Sequence, residues 1–486
     1  MSASKDSPGR STGSYGRGAR ILSIGIASTG LLTFAYFSIA SHVLGEASAK
    51  RIDVLWSVMF VIISVIYRPI EQLLSRTIAE RRARGSAAHS LRVPMLIQAS
   101  FALAFLIVAL VLHEQIVQQL FEGYAALYDV LVVGTLAYAA SYFARGWLAG
   151  HQRFALFGGL VLLESVARIS FAIAVALGIA SGQTTVALGI AAAPFVSLVV
   201  VPAAFARSGG DQPRGAAGAA GGGDATAGAA AHPREEREIE GPITVDEADA
   251  ALAGPGTEAV QEAAAHDELS LRRGGGFALW VSGIMLSEQT LLNAAVLTVD
   301  ATSHQRVLAG IVFNVLLIAR APLQLFQAIQ TSLLPHLTGL EATAGHAAFS
   351  RAVRVTVLAI AAFAAAVTIG LLILGPFVLR HVFFGQVYDY NGFGLALIGV
   401  GMGLHLTSGA LNQAALARDR AGAAAACWIV SAVLFVAWML SPAVADELLR
   451  TEIGYAGATL LLAGTLTLLY RQGSPRSRGG STIPAT

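Results

Sequence analysis

The sequence predicts an all-α polytopic membrane protein, with twelve transmembrane helices in two six-helix bundles related by a pseudo-two-fold axis along the membrane normal. Three observations carry this. Apolar residues make up 55% of the 486-residue chain and charged residues only 13%, about half the charge of an ordinary soluble domain. The apolar residues fall in long continuous runs rich in Ala, Leu, Val and Gly, without period-two alternation. Such runs read as helices, which satisfy their own backbone in lipid. Finally, the basic residues are strongly biased to one side of the runs.

Residues 1–20 are polar and carry Lys5, Arg10, Arg17 and Arg20. They read as a cytoplasmic tail rather than a cleavable signal, because the apolar run behind them is long and lacks a small-residue cleavage site. Spans are expected at 21–43, 54–75, 91–112, 128–149, 154–178, 186–206, 276–299, 307–333, 352–375, 391–414, 422–442 and 452–470, each near the ~20 residues a crossing needs. With the N-terminus cytoplasmic, 24 Lys and Arg fall inside, five outside and three within the membrane. That asymmetry supports both the number of spans and their orientation in the plasma membrane, with both termini inside. Here Arg145 and Arg76 count as cytoplasmic loop residues.

The divisions expected are a tail (1–20), an N-terminal bundle (21–206), a linker (207–275), a C-terminal bundle (276–471) and a second tail (472–486). The linker includes "GAAGAAGGGDATAGAAAHPREEREIEGP" and holds 13 acidic residues against six Arg. Its low complexity predicts a disordered cytoplasmic spacer. Cys427 is the one cysteine, so no intrachain disulfide can form and no Cys metal site exists. No metal helix, phosphate-cradling loop or nucleophile elbow is present. The chain is therefore read as a non-enzyme without a metal or cofactor.

The two halves repeat. "IYRPIEQLLSRTIA" in the second span answers "IARAPLQLFQAIQTSL" in the eighth, and "LFEGYAALYD" answers "VFFGQVYDY" two loops later. The same order of elements with six spans each places a central cavity between two bundles of like topology.

Polar residues inside the membrane mark the candidate site, because each is costly there. Arg68 and Arg320 occupy matching depths. Glu71 and Gln72 share the Arg68 face at i+3 and i+4, and Gln324 shares that of Arg320. Pro69 and Pro322 each remove a backbone donor and are expected to act as hinges. The arginines either face the cavity or snorkel to the inner headgroups, and Arg68–Glu71 is also readable as an intrahelical pair. Glu164 and Arg168, at i and i+4, read either as a self-neutralised pair or as an anion-binding Arg168 held by Glu164. Glu288 lies near mid-membrane with Gln289 and Asn293 beside it. It suits proton or sodium coupling, or serves as counter-ion to one of the arginines. His405, Asn412 and Gln413 read as packing polar groups.

"WSVMFVIISVIYRPIEQLLSRTIAERRARG" and "YFARGWLAGHQRFALFGGLVLLESVARI" carry a resemblance to the multidrug/oligosaccharidyl-lipid/polysaccharide exporter superfamily. Within it, the chain looks most like the polysaccharide-biosynthesis (O-antigen-type) flippases. The resemblance implies alternating access by a V-shaped pair of bundles. It implies a lipid-linked, pyrophosphate-bearing saccharide as cargo, with Arg68, Arg168, Arg320, Gln72 and Gln324 against the headgroup. Membrane lipids, and a polysaccharide polymerase or glycosyltransferases, are the implied partners; nucleic acid is not. Coupling to H+, Na+ or the membrane potential is expected. The alternative in the same superfamily is a cation-coupled multidrug antiporter, built on Glu71 and Glu288. A membrane glycosyltransferase using Glu46 and Asp53 ranks below both, since no large outer domain is present. A major-facilitator transporter fails on the loop after the second span.

Overall fold

A computed structural model describes residues 28–85, 91–200, 271–302, 306–378 and 391–472, with Gly25 and Pro202. All its regular elements are helical. The N-terminal half holds α1 (28–43), α2 (Glu46–Ile66), α3 (Arg68–Ala83), α4 (Arg92–Val111), α5 (Ala125–Gly150), α6 (Phe154–Ala176) and α7 (Gly182–Ser197). The C-terminal half holds α8 (Leu271–Thr302), α9 (Arg306–Thr343), α10 (Gly345–Val378), α11 (Gly392–Ala417), α12 (Ala421–Leu440) and α13 (Glu447–Arg471). Each expected span overlaps one of these helices, and α2 with α3 covers one span. Among the described residues, seven helices meet a strict test of length and apolarity for crossing a membrane: α4, α5, α6, α10, α11, α12 and α13.

Several elements run longer than the apolar runs suggest. The second span occupies 46–83 rather than 54–75, and α8 reaches back to Leu271, within the stretch read as linker. Polar helix ends continue into the headgroup layer, where apolar counting stops. The sixth is shorter, with α7 ending at Ser197 after Pro194. The tails and the linker up to residue 270 lie outside the described residues.

The outside of the bundle is apolar, as a lipid-facing surface must be. On α4, Met95, Leu103, Ile107, Leu110 and Val111 are all more than half exposed, and on α10 so are Val355, Leu358, Ile369 and Ile373. Lipid tails give no hydrophobic drive between helices, so close packing through small residues holds them together. A Cβ at Gly146 of α5 would lie 2.9 Å from the Glu71 backbone, and one at Gly150 would lie 2.7 Å from Ile78. These two glycines let α3 rest directly on α5.

One apolar core fills the N-terminal half around Tyr36, Leu55, Met59 and Leu131. The core of the C-terminal half extends across the boundary to include Ile70 and Leu73 of α3 and Ile97 of α4. The two halves therefore meet along α3.

The chain leaves the helix at Tyr67, between α2 and α3, with Pro69 in the first turn of α3. Proline lacks the N–H that the first turn would leave unpaired anyway, and its ring disfavours an unbroken approach from α2. Pro322 differs: α9 runs continuously through it and through Pro335.

Candidate functional site

The break at Tyr67 puts Arg68, Glu71 and Gln72 at the start of α3, where the halves meet. All three are buried. The side chain of Arg68 does not pair with Glu71. Its Nη2 donates across the boundary to Gln330 Oε1 of α9 at 3.2 Å. Gln330 fits there because α11 offers Gly409, whose added Cβ would sit 2.5 Å from Gln330 Nε2. Glu288 of α8 is buried and lies within the electrostatic reach of Arg68. Among the described side chains, neither Glu71 nor Glu288 has a guanidinium within ion-pair distance.

Deeper in the N-terminal half lies a second charged group. Glu164 of α6 pairs with Arg145 of α5, accepts from Ser141 Oγ, and accepts from Ser197 Oγ at 3.3 Å. Glu164 thus has its lone pairs filled from α5 and α7 and does not bind Arg168. The i,i+4 pair expected from the sequence is absent because neighbouring helices offer Glu164 better-placed donors. Arg168 instead lies over the Trp56 ring at 4.1 Å and donates to Thr33 Oγ1 at 3.5 Å. An arginine on the face of an indole gains from the ring quadrupole. Arg145 lies likewise over Tyr142 at 4.4 Å. The Nε atoms of Arg145 and Arg168 are buried without a partner. Arg145 and Arg68 are the arginines whose charge reaches Glu71.

Gln72 is buried with its Oε1 unpartnered. On α8, Asn293 Nδ2 donates to the Gln289 backbone O at 2.8 Å and to Gln289 Oε1 at 3.3 Å. Backbone places Arg320 and Gln324 on α9, two residues before and two residues after Pro322; their side chains lie outside the described residues. His405 shares a hydrogen bond of 3.2 Å with Tyr455 Oη inside the C-terminal half, a packing contact away from the boundary.

Sequence reasoning missed three participants. Arg145 was counted with the loop cations, yet it is nearly buried in the N-terminal half. The signal was the stripe Tyr138, Ser141, Tyr142 and Arg145 at helical spacing. Gln330 stood in the repeat segment but beyond the face chosen. Arg76 also counted as a loop cation, but it is buried: its Nη1 donates to Asp419 Oδ1 at 2.9 Å and its guanidinium lies 5.3 Å from the Phe277 ring. Arg273 Nη2 holds the other oxygen of Asp419 at 2.5 Å. The α11–α12 turn that carries Asp419 is thereby tied to both α3 and α8 at the end where the linker enters.

No protein-family model matches the sequence, and no curated protein does either. Solved structures do match. A MATE transporter of Vibrio cholerae, VcmN, shares 11% identity at a TM-score of 0.68, over 94% of this chain and 96% of that one. A multidrug resistance MATE family transporter of the MOP superfamily, in its outward-facing conformation, matches at 14% and 0.67 over 96% of both. A MOP superfamily transporter of Pyrococcus furiosus, whose binding pocket of reverse polarity has suggested a different function, matches at 14% and 0.66, over 94% of this chain and 95% of that one. At this identity the likeness speaks for architecture alone, and it does so over almost the whole length of both partners: the chain has the fold of the MATE transporters.

Proposed function

We propose that the chain is a membrane transporter that works by alternating access between its two halves, with a cation gradient coupled to export through Glu71 and Glu288. The observation that carries this is their placement. One buried carboxylate comes from each half, both lie near Arg68, and neither is neutralised by an ion pair among the described residues. A carboxylate held inside a membrane protein without a counter-ion is set up to exchange a proton or a sodium ion. The likeness in fold to multidrug MATE transporters favours this reading over lipid-linked saccharide transport.

The test is uptake of a fluorescent organic cation into proteoliposomes under an imposed pH or sodium gradient. Wild-type protein is expected to concentrate the dye, and Glu71→Gln and Glu288→Gln are each expected to remove the gradient dependence. Dye accumulation that ignores both gradients would refute the assignment.

A second reading has an observation of its own. Arg68 and Arg168 are buried without a carboxylate within ion-pair distance among the described residues. Guanidinium groups left in this way suit an anionic cargo such as a polyprenyl-pyrophosphate saccharide, by charge-assisted hydrogen bonds. Arg320, Gln72 and Gln324 would serve the same headgroup, with a polymerase or glycosyltransferases as partners in surface-polysaccharide assembly. Accumulation of lipid-linked saccharide in a deletion strain, with unchanged dye resistance, would select this reading over the first. Both place the tails and linker in the cytoplasm.

A further inference from the structure

A groove of about 710 Å³ opens on the side of the N-terminal half, between α4, α5 and the end of α7. Its walls are Met95, Ala99 and Ala102 of α4 facing Ala140, Phe143 and Trp147 of α5. Small alanines on both helices hollow it out. Met95, Ala99 and Ala140 are exposed along it, on a face with large apolar side chains turned to lipid. Gln98, the polar residue in the wall, turns its amide nitrogen away to donate to the Ala139 carbonyl at 2.9 Å.

Length fixes its depth in the bilayer. From Leu91 to Ala102 the groove follows α4 for about 16 Å at the helical rise, which is about one leaflet of a hydrocarbon core. The end at Leu91 and Trp147 is the headgroup end, and it is basic. Arg92 follows Leu91 and is exposed. Trp147 lies between two cationic or titratable neighbours, with the His151 ring at 4.3 Å and the Arg153 guanidinium at 5.5 Å. His151 Nδ1 is engaged with the Trp147 carbonyl at 2.9 Å. Tryptophan is favoured at this depth because its ring is apolar on one side and polar on the other.

We propose that this groove is a binding site for an anionic glycerophospholipid of the leaflet on the linker side. One acyl chain lies between α4 and α5, and the phosphate meets Arg153, His151 and Arg92. The site is separate from the charged group at α3 and does not depend on what the protein carries. Charge complementarity selects the occupant: an apolar slot about one leaflet deep, with Arg92 next to Leu91 in the chain and His151 and Arg153 beside Trp147 at one end, matches a lipid that is anionic at one end.

The test uses the full chain in phosphatidylcholine nanodiscs doped with phosphatidylglycerol that carries a photoreactive diazirine on an acyl chain. Labelled peptides are mapped after irradiation. The expected result is label concentrated on residues 95–102 and 140–147, with far less from the phosphatidylcholine analogue. Arg153→Glu should lower groove labelling by about five-fold or more, the scale of one basic side chain near a charged surface. Ala140→Trp should empty the groove while the lipid face of α10 labels as before. Arg153→Glu and the headgroup comparison stand even if the larger side chain prevents folding. Groove labelling no denser than on Leu358 and Ile369 of α10, or equal from both lipids, would overturn the proposal. So would crosslinking of a second copy of the chain through the groove in place of lipid.

Discussion

Arg76 of α3 donates to Asp419 of the opposite half at 2.9 Å, and the same carboxylate is held from behind by Arg273. This is a polar tie between the halves at the linker end, and any motion that opens that end must break it. The Asp419 side chain is about a third exposed, so the contribution is modest, about 1 kcal/mol once solvent screening is allowed for. Asp419→Asn is expected to raise maleimide labelling of a cysteine placed at Leu73, in a Cys427→Ser background, about five-fold. Unchanged labelling in Asp419→Asn would show that apolar contacts alone hold this end.

The same tie has a defined pH range. Burial raises the Asp419 carboxyl, but the charge of Arg76 and the hydrogen bonds from Arg273 and Arg76 outweigh it and hold the group below its ordinary value of 3.8. A folded-state value below the unfolded one gives stability that is complete above the unfolded value and is lost as pH falls through the folded one. Protection of the Leu73 position should therefore be flat from pH 7 down to about 4 and decline only below that. A decline centred near pH 6 would point to a different group.

Glu164 is expected to be a folding residue, because its oxygens are filled by Arg145, Ser141 and Ser197. Glu164→Ala leaves the Arg145 guanidinium buried and unpaired, which costs about 3–5 kcal/mol. The replacement of both partners, Arg145→Met with Glu164→Leu, should recover most of that loss. Thermal unfolding of the purified protein in detergent reads both. Equal destabilisation by the single and double variants would count against the pair.

Gly409 is expected to act through Arg68. A methyl group at 409 would sit 2.5 Å from Gln330 Nε2 and displace the amide that accepts from Arg68. Gly409→Ala and Gln330→Leu should each lower the transport rate, and their combination should be no worse than the stronger of the two, since both remove one contact. Additive losses in the dye-uptake assay would place Gly409 outside this chain of contacts.

The outline of the fold was legible because lipid imposes it: uninterrupted apolar runs, charge asymmetry and the Arg-Pro step all act along the chain. The step before Pro69 is a covalent fact and appears where expected. Partners across helices are a different matter. The spacing of Glu164 and Arg168 allowed a pair, but Arg145 and Ser141 on α5 were nearer rivals, and no local rule ranks them. Arg145 itself looked like a loop cation because it stands close to the end of an apolar run. Its burial follows from α5 extending to Gly150, where glycines bring α3 within contact. Arg68 stood out in the sequence, but its partner Gln330 is 262 residues away and fits against Gly409, where a side chain would collide with it.

Asp419 sits in the left-handed region, with φ +62°, a conformation that glycine adopts freely and aspartate accepts at some cost. The turn would be more comfortable as glycine, and the halves would then lose their shared anchor. Local relaxation and long-range cohesion are thus opposed at a single backbone position: a chain selected purely for thermal robustness of the C-terminal half would drift toward glycine there, and its two halves would grip each other less firmly at the linker end.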